Sequence, residues 1–161
     1  METAMATGFP TGRLIFEFTE NERMLEPEHV AGIVAAYRKM GFATALDDLG
    51  AGYAGLSLLA AIQPDIVKID MQLVRDVDTN AAKRTIVRHV VLMCAEMGIQ
   101  VIGEGIETLA ELRALQPLGV RYFQGYLFAK PSFRALGPVA WPIPHADLGG
   151  YLRPTYRPRP R

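Results

Sequence analysis

The feature that most constrains the fold of this chain is a repeated alternation between short β-rich segments and helical segments. Five β-rich segments begin near Leu14, Ala43, Ile66, Gln100 and Tyr122. Their starting points lie 29, 23, 34 and 22 residues apart, which leaves room for a helix in each gap. Strands that alternate with helices at this spacing form βα units, whose strands pair in a parallel sheet. The sequence therefore predicts an α/β fold with about five parallel strands.

Helical patterns fill several of these gaps. Three helices are predicted, at 27–40, 81–97 and 109–115. Gly41 and Gly98 follow the first two, as is common at helix C-termini. In the second helix, the apolar residues recur at spacings of three and four, which predicts one apolar face formed by Ile86, Val90, Met93 and Met97.

Composition and charge limit the classes of function. The chain has 17 basic and 17 acidic residues, so its formal net charge is zero, which argues against broad nucleic-acid binding. No apolar run approaches the ~18–20 residues that span a bilayer, and the first residues lack a signal-peptide pattern. Cys94 is the single cysteine, so we expect a buried thiol in a reducing compartment. A cytoplasmic protein with no membrane or nucleic-acid partner is therefore expected.

The composition changes after Gly137. Six of the eleven prolines and four arginines lie in 137–161, where neither a helix nor a central strand is expected. We interpret 1–136 as one domain and 137–161 as a mobile tail rich in proline and arginine. A solvated tail is favoured over a partner site formed by these arginines.

Polar side chains cluster where the predicted strands end, and the active sites of parallel βα folds lie at those ends. The candidates are Glu17, Asp47, Asp48, Lys68, Glu104 and Gln124. The adjacent carboxylates Asp47 and Asp48 repel one another unless a cation lies nearby, and Mg²⁺ prefers such oxygen donors. The alternative is an Asp-rich turn that caps the following helix. Acidic, basic and amide groups together suit metal-assisted displacement at phosphorus.

Two of these candidates lie within apolar strands. Glu17 is costly to bury without a metal or a cationic partner, and the alternative is a strand-end glutamate that faces water. Lys68 lies in the middle of an apolar strand, where a lysine is rarely structural. If it faces carboxylates, it could orient or activate a nucleophilic water, and the alternative is a buried ion pair with Asp70.

The fourth strand leads into a glycine-flanked glutamate. Glu104 lies between Gly103 and Gly105, so the backbone can bend sharply there, and it is the preferred site candidate. Glu107 is interpreted instead as an early-turn acid of the helix that begins at Leu109.

Five strings follow one another along the chain. They are Glu-Phe-Thr-Glu, Asp-Asp-Leu-Gly-Ala-Gly-Tyr, Val-Lys-Ile-Asp, Glu-Gly-Ile-Glu-Thr and Gln-Gly-Tyr-Leu-Phe-Ala-Lys-Pro. In these strings and their order, the chain resembles the EAL family of cyclic di-GMP phosphodiesterases from about Thr7 to Pro131. The resemblance implies a modified (β/α)₈ barrel, of which this chain holds strands three to seven. It also implies hydrolysis of cyclic di-GMP to the linear dinucleotide with Mg²⁺ or Mn²⁺.

The resemblance also implies roles for single residues. Metal ligation is implied for Glu17, Asp47 and Asp48, with Asp47 bridging two metals. Catalytic roles are implied for Lys68, Glu104 and Gln124, with the lysine holding the attacking water. Glu20 matches the glutamate that steadies the loop after the Asp-Asp pair. Leu49 stands where phenylalanine is usual, which affects packing more than chemistry.

One part of the family pattern is missing from the front of this chain. The family's Glu-Ala-Leu strand, its nearby arginine and a second strand with an asparagine ligand have no counterpart here. Two metal ligands and a phosphate contact are therefore absent, and we expect little activity from the chain alone. Open sheet edges predict self-association or pairing with another chain. The alternative function is a non-catalytic module that binds cyclic di-GMP or a protein partner.

Overall fold

The structure is a computed structural model that describes residues 2–19, 27–52 and 55–142. Five strands, six α-helices and two short 3₁₀ helices lie within these ranges. The strands are β1 Ile15–Thr19, β2 Ala43–Leu49, β3 Ile66–Ile69, β4 Gln100–Gly103 and β5 Tyr122–Phe123. The helices are α1 Glu2–Thr7, α2 Pro27–Lys39, α3 Gly55–Ile62, α4 Met71–Val74, α5 Ala81–Glu96 and α6 Leu109–Leu115.

The five strands form one sheet whose order follows the chain, β1-β2-β3-β4-β5. All four pairings between neighbouring strands are parallel. This arrangement confirms the predicted α/β class and the predicted strands, the first of which begins one residue later than expected. Because every strand runs in the same direction, the carboxyl ends of all five strands lie at the same end of the sheet.

The three predicted helices are present as α2, α5 and α6, and three further α-helices, α1, α3 and α4, lie outside the predicted ranges. Helix α5 begins where the Asn80 side chain accepts hydrogen bonds from two first-turn N–H groups. The packing face predicted for α5 was wrong at Ile86, which is 47% exposed. Val90 and Met93 are partly buried and pack against the core, as predicted. The most buried residues of the helix are Val87, Val91 and Cys94.

The two faces of the sheet have different neighbours. Side chains such as Leu46, Val67 and Ile69 belong to the same buried cluster as the apolar residues of the helices. Alternation along the strands places Glu17 and Lys68 on the opposite face. The main hydrophobic core therefore lies between sheet and helices, and the charged candidates lie on the other side.

Strand β2 contains a bulge beside the predicted site. Leu46 pairs with Val67 and Leu49 pairs with Ile69, so β2 has one residue more than β3 between these pairs. Asp48 lies in this interval with φ of 59°. The bulge changes the direction of the Asp48 side chain relative to simple strand alternation, so that it lies on the same side as Asp47.

Strands β1 and β5 are the edges of the described sheet. Leu14, Ile15 and Phe16 on or beside β1 are 37%, 47% and 37% exposed. In the part of the chain that the structure describes, no helix is long and apolar enough to cross a membrane. Glu20 and residues 143–161 lie outside the described residues, so the role of Glu20, the boundary after 136 and the tail stay predictions.

Candidate functional site

Lys68 lies at the centre of a group of carboxylates. Its ammonium Nζ is 2.9 Å from Asp47 Oδ1, 2.9 Å from Glu104 Oε1 and 3.1 Å from Glu17 Oε2. Lys68 is only 7% exposed. These side chains come from β1, β2, β3 and the end of β4, so the sheet brings four of the predicted residues together.

The alternative of a buried pair between Lys68 and Asp70 was wrong. Asp70 Oδ1 accepts a hydrogen bond of 2.7 Å from the backbone N–H of Gln72, and Asp70 is the N-cap of α4. Its carboxylate is therefore used to begin a helix. The ammonium of Lys68 faces the other three carboxylates instead.

Three carboxylates form a cluster that could hold a metal ion. One carboxylate oxygen from each of Asp47, Asp48 and Glu104 lies within 4.8 Å of the others, and all three residues are half-buried. Hard divalent cations prefer such oxygen donors. Asp47 and Glu104 each have two carboxylate oxygens, so their contact with Lys68 leaves acceptor capacity for a cation. The donor set therefore fits Mg²⁺, Mn²⁺ or Ca²⁺.

The turn after β2 fixes the position of the cluster. The Asp48 carbonyl accepts a hydrogen bond of 3.0 Å from the N–H of Ala51. Gly50 has φ of 105°, and a Cβ placed there would lie within 3.0 Å of the Leu73 side chain. A glycine is needed at this position, as expected from the sequence for a tight turn beside the site.

The charges in this cluster alter the proton affinity of its members. Burial alone lowers the pKa of Lys68, but hydrogen bonds to Asp47, Glu104 and Glu17 outweigh burial and raise it. Burial raises the pKa of Glu104, and the nearby Asp47 carboxylate adds to this rise although Lys68 opposes it. Lys68 is therefore a fixed positive charge at neutral pH, and Glu104 takes up a proton more readily than a freely hydrated glutamate does.

Replacing Glu104 with glutamine is expected to stabilise the fold at pH 7 and to reduce its pH dependence. A carboxyl with a raised pKa contributes stability at low pH, and this is lost as pH rises through its folded-state pKa. The free energy of unfolding of Glu104→Gln should exceed that of the wild type by about 1 kcal/mol or less at pH 7, a typical size for a single substitution. This difference between the two proteins should become smaller towards pH 4.5. Urea denaturation across this pH range measures it.

Glu96→Gln, on the exposed surface of α5, is the matched control for that charge change. Its free energy of unfolding should differ little from that of the wild type at pH 7 and at pH 4.5, since surface substitutions change stability little. If the difference in free energy of unfolding between Glu104→Gln and the wild type became larger on acidification, this would contradict the raised pKa of Glu104.

Gln124 lies directly after β5, at the same end of the sheet. Its backbone N–H donates to the Gly103 carbonyl at 2.9 Å, and its carbonyl accepts from the N–H of Ile106 at 3.1 Å. The residue is exposed. The backbone thus joins the segment that carries Gln124 to the segment that carries Glu104.

Two residues near this site were missed or misinterpreted from the sequence. Thr108 is the N-cap of α6 and Glu111 completes a capping box with it, so Glu107 precedes the helix and is not an early-turn acid. Glu107 Oε1 instead pairs with Arg75 Nη2 at 2.7 Å. The spacing Thr-x-x-Glu was a signal that could have identified Glu111.

Comparison with known families and curated proteins gives consistent matches. A family model described as "EAL domain" matches residues 1–131. The chain is 35% identical over 130 residues to the blue light- and temperature-regulated antirepressor BluF of Escherichia coli, covering 81% of this chain and 32% of that protein. It is 36% identical over 119 residues to the probable cyclic di-GMP phosphodiesterase PdeA of the same species, covering 74% and 16%.

Solved structures show the same similarity. A standalone EAL protein from Vibrio cholerae with cyclic di-GMP bound is 42% identical, with a TM-score of 0.82 over 86% of this chain and 59% of that chain. A manganese and cyclic di-GMP complex of Klebsiella pneumoniae BlrP1 is 41% identical, with a TM-score of 0.81 over 87% and 36%. The chain thus spans between about a sixth and three fifths of the length of these proteins.

Proposed function

This chain belongs to the EAL domain family, and from that membership we propose that it contributes to a site that hydrolyses cyclic di-GMP to the linear dinucleotide. The single observation that carries this proposal is the Lys68 ammonium in contact with three carboxylates at the end of a parallel sheet. Solved relatives bind cyclic di-GMP, and the fold is that of an EAL-type (β/α)₈ barrel, represented by five of its strands.

Asp47, Asp48 and Glu104 would hold Mg²⁺ or Mn²⁺, and Glu17 is proposed as a further ligand on the β1 side. When bound there, such cations would stabilise negative charge on the phosphate and lower the pKa of a coordinated water. Three carboxylates with one ammonium leave a net negative charge that attracts such cations. The proposal is thus supported by the donor set and its charge.

Lys68 would hold and orient the attacking water. Because its pKa is raised, it remains an ammonium and acts as a hydrogen-bond donor, with no role as a base. Its contacts with Asp47 and Glu104 fix its direction. Gln124, exposed at the neighbouring strand end, is proposed to contact the same water through its side-chain amide.

We further propose that the chain assayed alone turns over little cyclic di-GMP. Within the described ranges, the one carboxylate cluster that could hold a metal has three members, too few for two fully coordinated cations. The remaining ligands would come from another part of the protein or a second chain paired at β1 or β5, where apolar side chains are exposed. A cytoplasmic location is part of this proposal.

The test is calorimetric titration of the chain with Mn²⁺ and then with cyclic di-GMP, together with chromatographic detection of the linear dinucleotide. Asp48→Asn should weaken Mn²⁺ binding by about tenfold or more, since it removes one anionic ligand. Glu96→Gln, the remote charge control, should leave it unchanged. Absence of both Mn²⁺ and cyclic di-GMP binding by the wild type would reject the proposal.

A second function is favoured by one relative, which is named an antirepressor and not a phosphodiesterase. In that case the chain acts as a non-catalytic module that binds cyclic di-GMP or a protein partner. Because the chain alone is expected to turn over little cyclic di-GMP in either case, this function is favoured if sedimentation shows an oligomer that binds cyclic di-GMP in the presence of Mn²⁺ but yields no linear product. Clear turnover would reject it.

A further inference from the structure

Glu111, in the first turn of α6, is a buried carboxylate that the site described above does not use. It is 2% exposed, and it is one of four buried polar or charged residues in the described part of the chain. Burial of a carboxylate is costly unless hydrogen bonds compensate for its lost hydration. Its contacts therefore indicate what this residue does.

The two oxygens of Glu111 contact two different loops. Oε2 accepts hydrogen bonds of 3.0 Å from the backbone N–H groups of Glu107 and Thr108, in the segment after β4. Oε1 accepts from the N–H of Asp76 at 3.4 Å and lies 3.5 Å from Arg75 Nη1, in the turn after α4. Glu111 therefore connects these two segments directly.

A helix cap alone does not require this arrangement. In a capping box, the glutamate contacts only the N–H of the N-cap residue, here Thr108. The contacts with Asp76 and Arg75 are additional, and Asp76 has φ of 59°, a conformation uncommon outside glycine. Burial would raise the pKa of Glu111, but hydrogen bonds from Glu107, Thr108 and Asp76, with the charge of Arg75, lower it. The contacts thus outweigh the cost of burial.

Arg75 adds a second connection between the same two segments. Its Nη2 pairs with Glu107 Oε1 at 2.7 Å, while its backbone carbonyl accepts from Lys83 Nζ at 2.7 Å. The turn at Arg75 is thereby attached to both α5 and the segment after β4. We call Arg75, Glu107 and Glu111 the clamp.

Both segments joined by the clamp lead directly to the site. The segment after β4 begins at Glu104, and the segment after β3 follows Lys68 by way of Asp70 and α4. Between clamp and site the two segments touch, because a Cβ at Gly105 would lie 2.5 Å from the Cβ of Met71. Movement of one segment away from the other would therefore separate Glu104 from Lys68.

We propose that Glu111 is a positioning residue that holds Glu104 in place relative to Lys68, Asp47 and Asp48 and so sets the divalent-cation affinity of the site. The effect on cation affinity rests on the proposed function. The clamp touches neither the cation cluster nor the reacting atoms. Its effect is transmitted through the segment 104–108.

Mn²⁺ affinity, measured by calorimetry on the folded chain, tests this proposal. Glu111→Ala should weaken Mn²⁺ binding by about tenfold, as found when partners outside the ligand set are removed. Glu111→Gln retains an oxygen that can accept from Glu107 and Thr108, so it should recover most of the affinity. Asn80→Ala is the matched control, because it removes the cap of α5 without touching the clamp.

A purely structural role predicts that Glu111→Ala and Asn80→Ala bind Mn²⁺ equally well once folded, and that outcome would overturn the proposal. If Glu111→Ala does not fold, Arg75→Ala takes its place, since Arg75 is partly exposed and its loss opens the same connection. Arg75→Ala must then weaken Mn²⁺ binding relative to Asn80→Ala. Equal Mn²⁺ affinities of Arg75→Ala and Asn80→Ala would again overturn the proposal.

Amide hydrogen exchange tests the clamp independently of Mn²⁺ binding, so a failure of this proposal can be distinguished from a failure of the proposed function. The N–H of Glu104 donates to Ile69 O and that of Ile106 donates to Gln124 O, at 3.1 Å each. Faster exchange of these two amides in Glu111→Ala, and not in Asn80→Ala, supports the clamp even if the wild type binds no Mn²⁺. Unchanged exchange overturns the clamp even if the wild type binds Mn²⁺ well.

Discussion

Replacing Lys68 with methionine is expected to lower the free energy of unfolding by about 1–3 kcal/mol at pH 7. Removal of one partner from a buried ion pair costs about 3–5 kcal/mol, and the value is reduced here because the carboxylates are partly hydrated. The side chains of Asp47 and Glu104 are 18% and 14% exposed, and that of Glu17 is 44% exposed. Without the ammonium, these three carboxylates repel one another.

Two conditions should reduce this loss of stability. Acidification to about pH 5 should help, because Glu104 already has a raised pKa and will take up a proton more readily without Lys68. Millimolar Mn²⁺ should stabilise Lys68→Met more than the wild type, because a cation replaces the missing positive charge. Urea denaturation at both pH values, with and without Mn²⁺, measures each effect.

Lys39→Met is the matched control, because Lys39 is an exposed lysine at the end of α2. It should change the free energy of unfolding little, and neither pH nor Mn²⁺ should alter that result. Equal free energies of unfolding of Lys68→Met and Lys39→Met at pH 7 would mean that the Lys68 ammonium does not stabilise the three carboxylates. If the proposed hydrolysis occurs, Lys68→Met should also lower turnover by about 10²–10³-fold, as loss of one oriented donor does.

Gly125→Ala is expected to have the second large effect. A Cβ at this position would overlap the backbone N and O of Ile106 and lie 2.7 Å from its backbone C. Ile106 is fully buried, and its backbone is hydrogen-bonded to Gln124 and Leu127. Since the backbone cannot move aside without breaking these bonds, we expect a loss of about 1–3 kcal/mol or more.

The same substitution should also disturb the site, because Ile106 lies two residues after Glu104. We expect weaker Mn²⁺ binding in the folded Gly125→Ala protein, measured by calorimetry. Gly103→Ala is the matched control in the adjacent strand β4, where a Cβ would make ordinary contacts of 3.5 Å with Leu115 and Val120. A Gly125→Ala protein as stable as Gly103→Ala would show that Ile106 can move freely.

Much of the fold could be predicted from the sequence because its signals are local. A strand pattern with period two and a helix pattern with period 3.6 are both properties of a short segment. Helix α6 has the predicted bounds, and β2, β3, β4 and β5 begin where predicted. The short helix α4 was not predicted, because four residues contain little more than one helical turn and show no clear periodicity.

Other predictions failed where a contact distant in the chain decides the outcome. The pair of Lys68 with Asp70 was a plausible local alternative, but the fold supplies three carboxylates from other elements and leaves Asp70 to cap α4. Glu107 was assigned to the helix that follows, yet it pairs with Arg75, more than thirty residues earlier in the chain. Neither partner can be identified from the segment alone.

The sequence by itself determined which chemical groups occur at the end of each strand, since the order of strands and polar residues is written along the chain. Only the tertiary structure decided where those groups point. Simple alternation would send the Asp47 and Asp48 side chains to opposite faces of the sheet. The pairing of β2 with β3 inserts a bulge there, with Asp48 at φ of 59°, and both carboxylates then lie beside Glu104. The physical reason is that a bulge is a property of two paired strands, whereas alternation is a property of one.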